Sequence, residues 1–283
     1  VTETTHEPLT HLPPAESRLG SVFARPKTIA AFCVVALTVL GWAYLALLTA
    51  GASDPLSAFD ALCRAMADTS SGFSGAALIA AMWGAMTLAM MLPSAAPMIF
   101  TYAEIADTAA KKGERIVSPF VLAAGYLTIW FAVAGGAMLA QIALTRLALL
   151  DTSMASASGL FSGAIFLTAG VYQFSALKHA CLTQCQRPFP FFFANWATTQ
   201  GGVYKLGLRQ GLYCLGCCWA MMGVMFAVGL MNVIWMAGLG IVMTIEKMGS
   251  GRKFTYAAGV ALIAGGMFFI VTSFAAHWPV RAS

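Results

Sequence analysis

Apolar residues in this chain do not alternate with polar ones. They run on, and charged residues mark the breaks. No Asp, Glu, Lys or Arg occurs in residues 28–53, 69–103, 116–145, 152–177, 210–245 or 254–280. Each interval exceeds the about 20 residues that a helix needs to cross about 30 Å of hydrocarbon. Transmembrane strands would show segments of about ten residues with alternating polarity, and none is present. The interval 210–245 would extend about 54 Å as one helix at roughly 1.5 Å per residue. That is too long for one crossing, and Gly229, Met231 and Asn232 stand in its middle. A turn at Asn232 divides it. The pattern therefore predicts an all-α, polytopic transmembrane helix bundle of about seven spans, near 28–50, 76–103, 118–145, 159–178, 210–230, 233–248 and 255–275. The first run is too long for a signal-peptide core and reads as a retained span. Residues 1–27 read as a disordered cytoplasmic tail with a juxtamembrane segment, 28–275 as a single transmembrane domain, and 276–283 as a short outer tail.

Composition narrows the class. Hydrophobic residues make up 59% of the 283 and charged residues 10%, against about 45–50% and about 25% in soluble domains. A soluble enzyme, a disordered chain and a small disulfide scaffold are thereby excluded, and the lipid bilayer is the first expected partner. The net charge of +5 does not point to nucleic acid, because the basic residues are scattered through short loops. Their placement instead sets orientation. With seven spans and a cytoplasmic N-terminus, Arg18, Arg25, Lys27, Lys111, Lys112, Arg115, Lys178, Arg187, Lys205, Arg209, Lys247, Arg252 and Lys253 lie inside, and Arg64, Arg146 and Arg281 outside. The C-terminus is then outside. Merging spans five and six would move Lys247, Arg252 and Lys253 outward, so charge supports the division that length requires.

The chemistry lies in sulfur. Of seven cysteines, five fall within 38 residues. They form His179-x-Cys181-x3-Cys185 after the fourth span and Cys214-x2-Cys217-Cys218 at the start of the fifth. Both groups are expected at the reducing cytoplasmic end, where structural disulfides do not persist. These spacings let two thiolates reach one ion from one helical turn, and a pair from each segment completes a four-thiolate or mixed site. Thiolates select Cu(I) and zinc. A redox thiol pair and inert packing are the competing readings; Cys33 and Cys63 read as packing. Met82, Met86 and Met90 recur every four residues on one helix face, and Cys214, Cys218, Met221 and Met225 form a stripe on another. Thioethers bind Cu(I) and serve zinc poorly, so a methionine ladder leading to thiolates suits copper, whereas core packing is the alternative. Pro93 and Pro97 predict a kink beyond the ladder. Lys178, Glu246 and Lys247 read as structural ion pairs near the inner ends. The aromatic stretch from Phe189 to Trp196 reads as an interfacial anchor or a re-entrant lid. No P-loop, G-x-S-x-G or H-E-x-x-H occurs, and no histidine falls mid-span for haem, so no enzyme is expected.

Several ordered blocks then resemble a known family: Met82-Trp83-x2-Met86-x2-Ala89-Met90-Met91-x-Pro93-Ser94-x2-Pro97, Tyr172-Gln173-x4-Lys178-x2-Cys181-Leu182-x2-Cys185-x2-Pro188, Gly211-x2-Cys214-x2-Cys217-Cys218-Trp219-x-Met221-Met222, Gly229-x-Met231-Asn232-x2-Trp235-Met236, and Glu246-Lys247. Across about residues 75–250 the chain resembles the bacterial family of predicted metal-binding integral membrane proteins often labelled copper chaperones. The resemblance implies that Met82, Trp83, Met86, Cys181, Cys185, Cys214, Cys217 and Cys218 occupy family motif positions. The expectation is a protein of the bacterial inner membrane that binds Cu(I) and passes it to a metal-acceptor protein. Cys181, Cys185, Cys214 and Cys217, with Cys218, His179 and Met221 beside them, form the principal site, and Met82, Met86 and Met90 an outer relay. The alternatives are a non-catalytic accessory subunit of a larger membrane complex, with structural or zinc-binding thiols, and a membrane thiol redox protein.

Overall fold

A computed structural model describes residues 26–50, 73–147, 158–229, 233–249 and 251–277. The expected turn at Asn232, both chain ends, Cys63, His6 and His11 lie outside the described residues. Most of those described are helical, and none is in a strand: α1 (Pro26–Ala50), α2 (Phe73–Met86), a π-helical turn (Thr87–Met91), α3 (Leu92–Lys111), α4 (Pro119–Arg146), α5 (Gly159–Tyr172), α6 (Ala176–Gln186), α7 (Pro188–Ala194), α8 (Gln200–Gly223), α9 (Met225–Val228), α10 (Val233–Lys247) and α11 (Gly251–His277). Among them, four runs are long and apolar enough to cross a membrane: Ile79–Lys111, Pro119–Arg146, Gln200–Val228 and Gly251–Ala275. A fifth arises if α5 and α6, bent by 65°, count as one. The run from Ile79 to Lys111 is mostly buried, whereas few residues of α4 and α11 are. Their exposed side chains are apolar, including Phe131, Leu139, Val260, Phe268 and Phe274. Such a coat is costly in water and neutral in lipid.

Two helix boundaries differ from those the charge-free intervals suggest, each for a local reason. The fourth span ends at Tyr172 rather than 178, because Ser175 starts a new helix by accepting a hydrogen bond from Lys178 N. The fifth begins at Gln200, ten residues before 210, with Thr199 as its cap. Lys205 is exposed there, and Arg209 reaches out to Asn195 Oδ1 at 3.0 Å and over the Phe191 ring. Charge marked a boundary that the backbone ignores. In the second span the prolines are absorbed without a chain break. Pro93 cannot donate to the carbonyl of Ala89, four residues back, and Trp42 Nε1 donates to that carbonyl at 3.0 Å instead. The π turn immediately before Pro93 takes up the extra residue.

Close backbone approach holds the bundle together. Gly125 of α4 faces Gly207 of α8: a Cβ on Gly125 would collide with the carbonyl of Tyr204, and one on Gly207 with the carbonyl of Leu122. Gly163 and Gly170 of α5 meet Gly266 and Gly259 of α11 in the same way. Where lipid is as apolar as the side chains, such small-residue contacts give helices their adhesion. Substitution Gly207→Val should therefore lower the unfolding midpoint in detergent by the equivalent of about 1–3 kcal/mol or more, whereas Gly136→Ala, whose added Cβ meets nothing within 4 Å, should leave it within about 0.5 kcal/mol of wild type.

Candidate metal centre

The crossing of α4 and α8 sets up the site. Gly207, Gly211, Cys214 and Cys218 step by four, three and four along α8, so the face that meets α4 through glycine continues as thiols. Cys214, Cys217 and Cys218 are all buried, and their sulfurs lie within 4.8 Å of one another. Cys217 Sγ donates to the Cys214 carbonyl at 3.1 Å and Cys218 Sγ to the same oxygen at 2.8 Å. One helical turn thus folds two thiols back over the carbonyl that begins it.

Helix α6 supplies the fourth thiol. It packs on α8 and brings the side chain of Cys185 next to that of Cys217. Cys217 is the hub, within 4.8 Å of the sulfurs of Cys214 and Cys218 and on the side of α8 towards Cys185. Cys181, one turn before Cys185, is half-buried and lies against Gly216. A Cβ on Gly216 would sit 2.5 Å from Cys181 Sγ, so the glycine makes room for this thiol beside the cluster. Tyr172 holds the same stretch by donating from its hydroxyl to the Gly216 carbonyl. His179 faces elsewhere: its ring lies edge-on to Tyr256 of α11, 5.4 Å between centroids, and its Nε2 is buried without a partner.

The methionines lie in the core of the bundle. Met82, Met86, Met90 and Met221 are each almost completely buried. Met90 lies beside Gly240 of α10. The methionine stretch and the thiols meet through one hydroxyl: Tyr126 Oη lies 3.1 Å from the Met91 carbonyl, to which it donates, and 3.0 Å from Cys214 Sγ. The π turn ends at Met91, so the distorted part of the second span adjoins the cysteine cluster.

Charge enters from the end of α10. Glu246 pairs with Lys178 of α6 at 2.8 Å, both side chains buried, and Gln186 Nε2 donates to the Glu246 carbonyl at 2.7 Å. These bonds clamp α10 onto α6. The next residue, Lys247, is buried too, and its Nζ donates to Ser94 Oγ at 2.8 Å and to Cys214 Sγ at 2.9 Å. A cavity of about 20 Å³ opens here, lined by Ser94, Tyr126, Cys185, Gln210, Cys214 and Lys247 among others. Reasoning from spacing found the thiols but not Tyr126, Gly216, Gln210 or Ser94. Ser94 stood in a recognised block, whereas Gly216, between two cysteines, was the signal available for a close contact. The donor set is soft and fits copper: thiolates in an apolar surround favour Cu(I) or zinc over harder ions.

The family model PpoB2, described as a copper chaperone, matches residues 80–269. No curated protein and no solved structure matches the chain. The burial pattern predicts graded thiol reactivity, since attack requires access. In native protein, Cys181 should alkylate at least about tenfold faster than Cys214, Cys217 or Cys218, as read by peptide mass mapping over time; equal rates would contradict this placement.

Proposed function

The chain belongs to the copper-chaperone family that this match identifies, and from that premise we propose that it is an integral membrane protein that binds Cu(I) and hands it on. The observation that carries the proposal is the meeting of three buried sulfurs, those of Cys214, Cys217 and Cys218, within 4.8 Å of one another inside an apolar bundle. Three soft donors within reach of one point suit an ion that accepts two or three sulfurs. Transfer then proceeds by exchange, one thiolate leaving as another arrives, with no acid–base pair and no catalytic step. Cys181, half-buried beside the hub, is the natural exchange partner. The buried thioethers of Met82, Met86, Met90 and Met221 supply further soft donors on the path. The protein is a carrier rather than an enzyme, and its partner is a metal-acceptor protein.

We place it in the bacterial inner membrane with seven spans: α1, α2 through α3, α4, α5 with α6, α8 with α9, α10 and α11. The N-terminus is cytoplasmic and the C-terminus outside. The thirteen-to-three division of Lys and Arg supports this orientation. A second reading, an accessory subunit with zinc or no metal at its thiols, draws on the open cleft of about 570 Å³ between α3 and α7. Phe189, Phe193, Trp196, Glu104 and Lys112 line it, an aromatic surface suited to another protein. Metal analysis separates the two. Protein purified from copper-supplied cells should carry copper, and Cys214→Ser/Cys217→Ser should carry only background. Equal, near-zero copper in both would sink the first reading, and co-purification of a partner at fixed stoichiometry in both would favour the second.

A further inference from the structure

Of the two buried lysines near the cluster, only one has an acidic partner among the described residues. Lys178 is matched by Glu246. Lys247 is 6% exposed, and its ammonium donates to a serine hydroxyl and a cysteine sulfur. Burying an ammonium among apolar helices without an anion is expensive, so its position calls for a negative charge that these partners acquire only when sulfur is ionised or metal-bound. Cys214 Sγ is set up to carry one, because it accepts from Lys247 Nζ at 2.9 Å, with the Tyr126 hydroxyl 3.0 Å away.

The charge count points the same way. A Cu(I) ion on two thiolates carries one net negative charge. One ammonium alongside brings the buried assembly to neutrality, the state that a low-dielectric surround favours. A divalent ion on two or on four thiolates would leave the pocket charged with the ammonium present, and only on three would it reach the same balance. We propose that Lys247 is the resident counter-charge of the metal–thiolate unit, matched to a monovalent soft cation on two thiolates, one of them Cys214. This rests on the reading of the site as a Cu(I) centre. Lys247 acts through Cys214 and is a positioning residue, not a ligand. Ser94 Oγ, on the far side of the ammonium, holds it in line. The arrangement parallels the outer partners that orient and tune ligands at other metal sites, whose loss typically costs about 10–100-fold in affinity.

The test is an anaerobic Cu(I) titration of the full-length protein in detergent, in competition with the chromophoric chelator bicinchoninate. Two neutral variants are used. Lys247→Gln keeps hydrogen-bond donors for Ser94 and Cys214, and Lys247→Met keeps length and apolar bulk. Either one, if folded by its melting profile, should bind Cu(I) about 10–100-fold more weakly than wild type. Lys247→Arg, which retains the charge, should recover most of the loss, a rescue that a purely structural role would not produce. A folded neutral variant that binds within about threefold of wild type would overturn the counter-charge while leaving the copper site standing. Failure of wild-type protein to bind Cu(I) at all would instead remove the underlying reading, and this proposal with it.

Discussion

The structure depends on the contact between Gly125 and Gly207. At that crossing the backbones of α4 and α8 touch with no side chain between them. Nothing larger than hydrogen fits, so the register of the two helices is fixed sterically rather than by a polar lock. Two consequences follow along α8. One residue past Gly125, Tyr126 is brought to Cys214; seven residues past Gly207, Cys214 is brought to Tyr126. The site is therefore an extension of a packing contact. The same face that lets the helices approach through glycine becomes a row of sulfur two turns later.

Inside such a bundle each polar group needs a partner, because no solvent competes for it. This requirement explains features that would otherwise read as irregularities. The carbonyl of Ala89, left free by Pro93, receives the indole of Trp42 and ties α1 to the central helix. Trp83 Nε1 donates to Gln141 Oε1 at 2.8 Å, joining the second span to α4. The carbonyl of Met91 is served by both Ser94 and Tyr126. Those two residues also reach the ammonium of Lys247 and the sulfur of Cys214, respectively. The break caused by the prolines and the clustered sulfurs thus share one hydrogen-bonded network. The exposed circumference of α4 and α11 is instead rich in apolar side chains, among them Phe131, Leu139, Val260 and Phe268.

How far the amino-acid sequence discloses this arrangement varies from residue to residue. Charge-free intervals yield the helices in order, since a helix in lipid must be apolar along its length. They misplace the start of α8, because Lys205 and Arg209 continue the helix while pointing outward, and charge reports polarity rather than backbone. The bend after Tyr172 carries no proline, and its local sign is the capping serine at 175. The thiol triad on α8 is legible from spacing alone, because residues three and four apart share a helix face. That Cys185 joins it depends on which face of α6 docks on α8, which no local pattern encodes. The expected ion pairing holds for Lys178 and Glu246. For Lys247 the partner is a sulfur 33 residues away in the chain, a long-range choice made by packing. His179 sits next to Lys178 in the motif but turns its ring to Tyr256, a direction that spacing cannot give.

The central claim is that these converging sulfurs hold a copper ion. X-ray absorption at the copper edge of the copper-loaded protein tests it most directly. The account predicts a Cu(I) edge with a coordination shell made of sulfur alone. A shell dominated by nitrogen or oxygen, or a Cu(II) edge in freshly isolated anaerobic protein, would contradict it.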